Sequence, residues 1–411
     1  MNTKLIIVVF FLLLVSPPAW AALTFTGESK TYLQAREAIN GDDVMPLYEY
    51  LDFRFQDTRS KNLSFHFAGW ARTNLEGEIL GEKTNSELQY AYVSYRKNTN
   101  NALANAGRVY VFEGVASEQI DGLYVRTDVG GGFEVAAFGG IPLETDEDGG
   151  SGDSIYGGRI AQGRPGRYQV GISYLNEEDD SDEFREEQGI DLWWRLRPKA
   201  DLRGRSWYNA ITSNWMQHNY YLVLGPFDKL KVNAEASKVY YEDYFQSATM
   251  SAFQFTTLDP NEIITIVGTG VEYPFNSALT GIVDYKNYDY ELAGEADYFG
   301  GMLAYAVRDY SAGLSLYRMD GETDRLKYGE YRAYAQKQWA RTDATVDLLV
   351  VSYDEEINGV KNVYTAVAAV GYAFNAQARA LADLEYGRNP EFDKEVRAMV
   401  RFVYRFDVSS R

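Results

Sequence analysis

Few side chains in this sequence have the type and spacing for covalent chemistry. There are two histidines, His66 and His218, and no cysteine. Ser64 and His66 stand at i and i+2, so on a strand they share a face. A hydroxyl beside an imidazole could begin a hydrolase site, but such a site needs a third group to orient the ring. No spacing supplies one, and no zinc-type spacing occurs. Missing thiols exclude covalent c-type haem, iron–sulfur clusters and thiol catalysis. Neither an enzyme nor a cofactor is therefore expected. Carboxylates crowd the runs Glu144–Asp153 and Glu177–Glu183, where hard oxygen ligands could take up Ca²⁺ or Mg²⁺. EF-hand spacing is absent, and solvated acidic loops are the plainer reading. The run Val129–Gly132 is glycine-rich but no helix follows it, so it reads as a turn and not a phosphate cradle.

The more informative charges recur at alternate positions in otherwise apolar segments. They are Arg72, Arg195, Lys231, Glu235, Asp347, Arg379, Asp383, Glu385, Arg397 and Arg401. Rings of fixed charge select ions in pores, so these ten are the candidate pore-lining residues. The competing reading is that they pair with neighbours and fill a polar wall. A symmetric hairpin around Gly387 to Asp393 sets Asp383 opposite Arg397, Arg379 opposite Arg401 and Glu385 opposite Glu395.

Strands must carry these residues. From Ala376 to Tyr386, Ala376, Ala378, Ala380, Ala382, Leu384 and Tyr386 alternate with Gln377, Arg379, Leu381, Asp383 and Glu385. Val396, Ala398, Val400, Phe402, Tyr404 and Phe406 alternate likewise with Arg397, Met399, Arg401, Val403 and Arg405. Period two puts one set on each face of a sheet. Similar rows recur at 63–72, 190–197, 230–236 and 344–350. An Arg or Lys on a lipid face near the bilayer midplane costs roughly 2–4 kcal/mol, which gives the sorting an energetic cause. The expected fold is all-β, a transmembrane antiparallel barrel with its apolar face on lipid and its charged face on a wet lumen. Segmentation gives about 18–22 strands, with about 22 the best count.

Met1 to Ala21 reads as a secretory signal peptide. Lys4 supplies its charge, Leu5–Val15 its apolar run and Ala19-Trp20-Ala21 its cleavage site. Residues 22–46 form an N-terminal segment able to supply a first strand, and 47–411 form the barrel. Mean hydropathy is -0.36, which excludes a bundle of membrane helices but not a barrel. The 33 Tyr, 21 Phe and 7 Trp suit strands and interfacial girdles. A net charge of -19 makes nucleic acid an unsuitable partner.

Connections divide by length. Those at 129–132, 163–166, 197–200, 225–228, 274–277 and 374–377 are tight, as periplasmic turns are. Those at 74–85, 142–153, 176–187, 244–261, 319–325 and 354–361 are longer and polar, as extracellular loops are. The segment 97–105 is long for its side.

Phe402, Tyr404 and Phe406 resemble the closing-strand signal of outer-membrane proteins, with Arg401 where that signal often has Gly. Gly107–Val115 followed by Asp121–Val125 resembles a strand–loop–strand of porin-like outer-membrane proteins. The overall texture is similar to barrels of metal-respiring bacteria, some of which sheathe multihaem cytochromes. The resemblance implies a Gram-negative outer-membrane location, contact with lipid and the barrel-assembly machinery, and passage of small solutes or ions. It leaves as the alternative a porin–cytochrome electron conduit, in which this chain would surround a separate multihaem cytochrome.

Overall fold

The computed structural model describes residues 23–37, 42–57, 62–79, 81–143, 154–179, 182–244, 259, 261–390 and 394–409. The expected signal peptide, Met1 to Ala21, and the acidic run Glu144–Asp153 lie outside the described residues. Everything follows from one local habit, alternation in segments rich in Val, Ile, Tyr and Phe, punctuated by turn residues. The strands are β1 (Leu23–Glu37), β2 (Asp43–Asp57), β3 (Leu63–Glu76), β4 (Thr84–Lys97), β5 (Ala102–Glu113), β6 (Ala116–Gly130) and β7 (Phe133–Pro142). Next come β8 (Ser154–Arg164), β9 (Tyr168–Asp179), β10 (Asp182–Arg197), β11 (Ala200–Asn209), β12 (Asn214–Phe227), β13 (Leu230–Tyr240) and β14 (Ile263–Pro274). The circuit finishes with β15 (Leu279–Tyr290), β16 (Gly294–Val307), β17 (Tyr310–Gly321), β18 (Lys327–Gln338), β19 (Thr342–Ile357), β20 (Val360–Ala373), β21 (Ala378–Arg388) and β22 (Glu395–Ser409).

Each strand pairs antiparallel with its sequence neighbours, and β1 pairs with β22, giving a closed sheet of 22 strands. Closure removes the edges that would otherwise leave backbone groups unpaired in lipid. The N-terminal segment is therefore part of the barrel, which begins at Leu23. No helix among the described residues is long and apolar enough to cross a membrane. The outward face is apolar and uncovered, with Val283, Leu314 and Leu316 each more than 60% exposed. The opposite parity holds the lysines, arginines and carboxylates named from the sequence.

Three expectations need correction. In the segments 176–187 and 354–361 the described residues are mostly strand, not loop. The β9–β10 ladder runs up to the Asp179–Asp182 pair, and β19 meets β20 at Ile357–Val360. Asn358 and Gly359 between them have φ of 49° and 78°, the two positive values a two-residue type I′ hairpin requires. Polar strand ends outside the apolar band lose the alternation but keep their hydrogen bonds. The segment 97–105 also shrinks, since β4 ends at Lys97 and β5 begins at Ala102. Finally, β21 and β22 sit two residues away from the symmetric register. Glu385 faces Arg397, Asp383 faces Met399, Leu381 faces Arg401 and Arg379 faces Val403. A two-residue slip leaves every side chain on its own face, so alternation cannot detect it.

Candidate functional site

Alternation is broken at one place in the wall. In lower β5, Ala104 and Ala106 share the outward parity with Leu123 and Val125 of β6, which are substantially exposed. Continued upward, that parity carries Arg108, Tyr110, Gln119 and Asp121. The inward parity meanwhile turns apolar, with Val109, Val111 and Ile120 essentially inaccessible to solvent. The inversion begins at the cross-strand pair Gly107 and Gly122. Gly107 has φ 123°, and a Cβ there would lie 2.3 Å from the Ala91 carbonyl oxygen. Only glycine accepts that backbone.

Above this hinge β5 leaves β4. Their pairing stops at Ala91–Arg108, whereas β5 and β6 stay paired to Glu113–Ala116. The freed hairpin folds inward and crosses to the inner faces of β9 and β10. The Val115 amide donates a hydrogen bond to Ser173 Oγ at 3.1 Å. A Cβ on Gly114 would lie 2.1 Å from the same oxygen, and one on Gly189 would lie 2.5 Å from Val115 Cγ1. Only small residues allow the two backbones this approach.

A buried apolar cluster fixes the hairpin against the wall. Val109, Val111, Val115, Ala116 and Ile120 come from the hairpin, and Tyr124, Ala136, Phe138, Ile155 and Leu175 from β6 to β9. Full burial of one Val or Ile side chain is worth roughly 1.5–3 kcal/mol, and this replaces the ladder lost to β4. The abandoned edge of β4 is repaired by side chains. Arg108 Nη1 donates to the Leu88 carbonyl at 3.0 Å and Gln119 Nε2 to the Gln89 carbonyl at 2.5 Å.

Charge locks the tip. Arg185 of β10 donates to Glu118 of the hairpin at 2.7 Å and to Glu187 at 2.5 Å, and lies 3.7 Å from Glu177. Beneath the hairpin Arg159 makes a two-pronged pair with Asp191, at 2.8 and 2.6 Å, and reaches Glu134 at 3.4 Å. The Tyr124 hydroxyl donates to Glu113, which also lies 4.0 Å from Arg126. The hairpin's other face looks into open lumen. There Phe112 is 71% exposed, and Arg108 grips Asp121 through two bonds of 2.8 Å.

The ten residues named from the sequence share the inward parity but do not form one ring. Arg72 is buried beneath the β3–β4 connection, donating to the Ile79 carbonyl and lying 3.8 Å from Glu82. Arg195 pairs with Asp201 at 3.0 Å, Lys231 with Glu272 at 2.8 Å and Glu235 with Lys286 at 2.6 Å. Asp347 pairs with Arg332 and Arg379 with Asp343, each at 2.5 Å. Arg397 holds Glu395 at 2.5 Å with Glu385 opposite, and Arg401 lies over the Tyr32 ring at 5.5 Å. Most are thus satisfied by a neighbour of opposite sign.

Sequence reasoning missed the hairpin residues, although a signal was present. Arg108 and Asp121 stand on a parity that elsewhere faces lipid, directly beyond two opposed glycines. Ser64 Oγ and His66 Nε2 are 2.9 Å apart, but the imidazole lies flat on Tyr92, and among the described residues no carboxylate hydrogen bond orients it.

No protein-family model and no curated protein matches the sequence. Solved structures do match. The siderophore receptor PirA from Pseudomonas aeruginosa has a TM-score of 0.58 at 12% identity, over 92% of this chain and 80% of that one. A mutant of the ferric enterobactin receptor PfeA from the same organism gives 0.58 at 9%, with the same coverage. OccK5 (OpdH), also from P. aeruginosa, gives 0.47 at 10%, over 94% of this chain and 99% of that one. At such identities the likeness to the two receptors shows the fold alone, and the class it defines is the large closed antiparallel barrel. This chain is a 22-stranded example with a hairpin of its own wall folded inside.

Proposed function

We propose that this protein is a channel of the Gram-negative outer membrane that passes small polar or charged solutes, with the β5–β6 hairpin as its constriction. One observation carries the reading. The hairpin packs against a single side of the lumen, and its free face, with Phe112 71% exposed, borders open space. It narrows the bore without sealing it. Inward-facing ion pairs around the rest of the wall keep the passage wet and polar. Apart from the buried Arg72, the charges named above line this passage in our reading, with Phe402, Tyr404 and Phe406 on the closing strand read by the assembly machinery. The hairpin weighs against a cytochrome sheath, because it occupies lumen that an electron-carrying partner would need. Purified protein added to a planar lipid bilayer is expected to give discrete conductance steps without haem absorbance. Folded, heat-modifiable protein that inserts but never conducts would refute the channel reading.

A further inference from the structure

A run of lumen-facing aromatic rings on β1 to β4 continues onto the free face of the hairpin. A second group on β15 to β19, where Tyr298 stacks on Tyr317 at 5.0 Å, stands apart from it. Phe112 stacks on Tyr110 at 6.2 Å between centroids, Tyr110 meets Tyr90 at 6.5 Å, and Tyr90 meets Tyr92 at 5.7 Å. Beside them Tyr50 touches Tyr32 at 5.2 Å, Tyr48 at 6.0 Å and Trp70 at 6.5 Å. Glu87 joins the two groups, accepting the Trp70 indole N–H at 3.0 Å. The rings are only partly buried, whereas apolar side chains serving as core here are fully buried behind the hairpin.

Some charges along this side are matched by a neighbour of opposite sign. Arg108 is held by Asp121, and Glu28 by Lys30 at 2.6 Å and Arg405 at 3.0 Å. Asp52 accepts from the Tyr90 hydroxyl. A solute moving along the track therefore meets ring faces for its flat apolar surfaces, and hydroxyl and carboxylate groups at ring edges. Ring faces with polar rims suit an uncharged molecule built the same way, apolar on its faces and hydroxylated around its rim.

We infer that the track from Phe112 to Tyr50 and Trp70 is a binding path for neutral carbohydrates. The inference rests on the channel reading and names its solute class. It is tested by titrating raffinose and stachyose against the open-channel current, with polyethylene glycol of matched size as the control. The sugars are expected to reduce current saturably and the polymer without saturation. Trp70→Ala and Tyr50→Ala should raise the half-blocking concentration by about tenfold, the loss of one stacked face, while Tyr50→Phe should retain block. Sugar behaving like the polymer, or saturating at the same concentration in the alanine variants, would overturn the inference while leaving the channel intact. Absence of conductance would instead count against the channel itself. Tryptophan quenching by stachyose in detergent micelles, expected in wild type and lost in Trp70→Ala, would then decide the binding path alone.

Discussion

The Val115 amide and the Ser173 hydroxyl meet at 3.1 Å across the inside of the barrel, joining the tip of one hairpin to the inner face of a strand four further along the wall. Removing the acceptor in Ser173→Ala leaves a buried amide unpaired, a cost of about 1–3 kcal/mol concentrated at the docked tip. More frequent transitions to a higher-conductance state are expected in single-channel records. Gly189→Val should do more, because its added atoms would occupy the space of Val115. Unchanged gating in both variants would show that the tip contact does not hold the hairpin.

Arg185 supports the same tip through Glu118 while touching Glu187 and Glu177. Arg185→Leu strands three closely spaced carboxylates, and breaking a buried pair from one side costs about 3–5 kcal/mol. The hairpin is expected to undock, exposing its Gly114 turn to added protease while the barrel stays heat-modifiable. Glu118→Gln, which keeps a hydrogen-bond acceptor, should be far milder. Equal protection of wild type and Arg185→Leu would contradict this.

The barrel closes where β1 meets β22, and that seam is aromatic. Phe406 lies 5.9 Å from Phe25 and 5.7 Å from Phe53, and Tyr404 lies 4.8 Å from Phe406. Changing Phe402, Tyr404 and Phe406 together to Ser should deplete the protein from the outer membrane. Fractionation followed by heat-modifiability on gels measures this directly, and normal levels would remove these residues from assembly.

Ion selectivity should respond to single carboxylates, with the sign set by the partner left behind. Asp347→Asn frees Arg332, and Glu385→Gln weakens the acidic neighbourhood of Arg397. Reversal potentials in a salt gradient should move towards anion preference in both, and in Asp383→Asn. The shift should shrink as salt rises, since screening acts within about 8 Å at physiological strength. Unmoved potentials with normal conductance would make these groups wall structure only.

Much of this architecture was legible in advance, because a membrane barrel writes its two faces into alternate residues. The strand carrying Val396, Val400 and Phe402 could be read this way, as could the count of 22 strands. What stayed hidden involves choices that alternation leaves free. A slip of two residues between β21 and β22 moves Asp383 from Arg397 to Met399 without changing its face. Polar ends such as Glu177 to Glu187 read as loop, because outside the apolar band a strand needs no apolar row. The Asn358-Gly359 pair carries the signal of the tight turn that its two positive φ angles make, but the segment 354–361 reads as a longer loop. The inward hairpin escaped because its alternation is intact with the polarity reversed. Only Arg108 and Asp121 on a lipid-type parity, next to Gly107 and Gly122, recorded the change of direction.

The central claim is that this hairpin constricts an otherwise open bore. Arg108 and Asp121 face each other across β5 and β6, so replacing Val109 through Ile120 by Asn-Gly closes the strands with a two-residue turn at the hinge. Unitary conductance of that variant in a planar bilayer, compared with wild type in the same salt, tests the claim most directly. A larger conductance step from a heat-modifiable barrel is the expected result. An unchanged step would contradict the account, since it would place the narrowest part of the passage somewhere other than this hairpin.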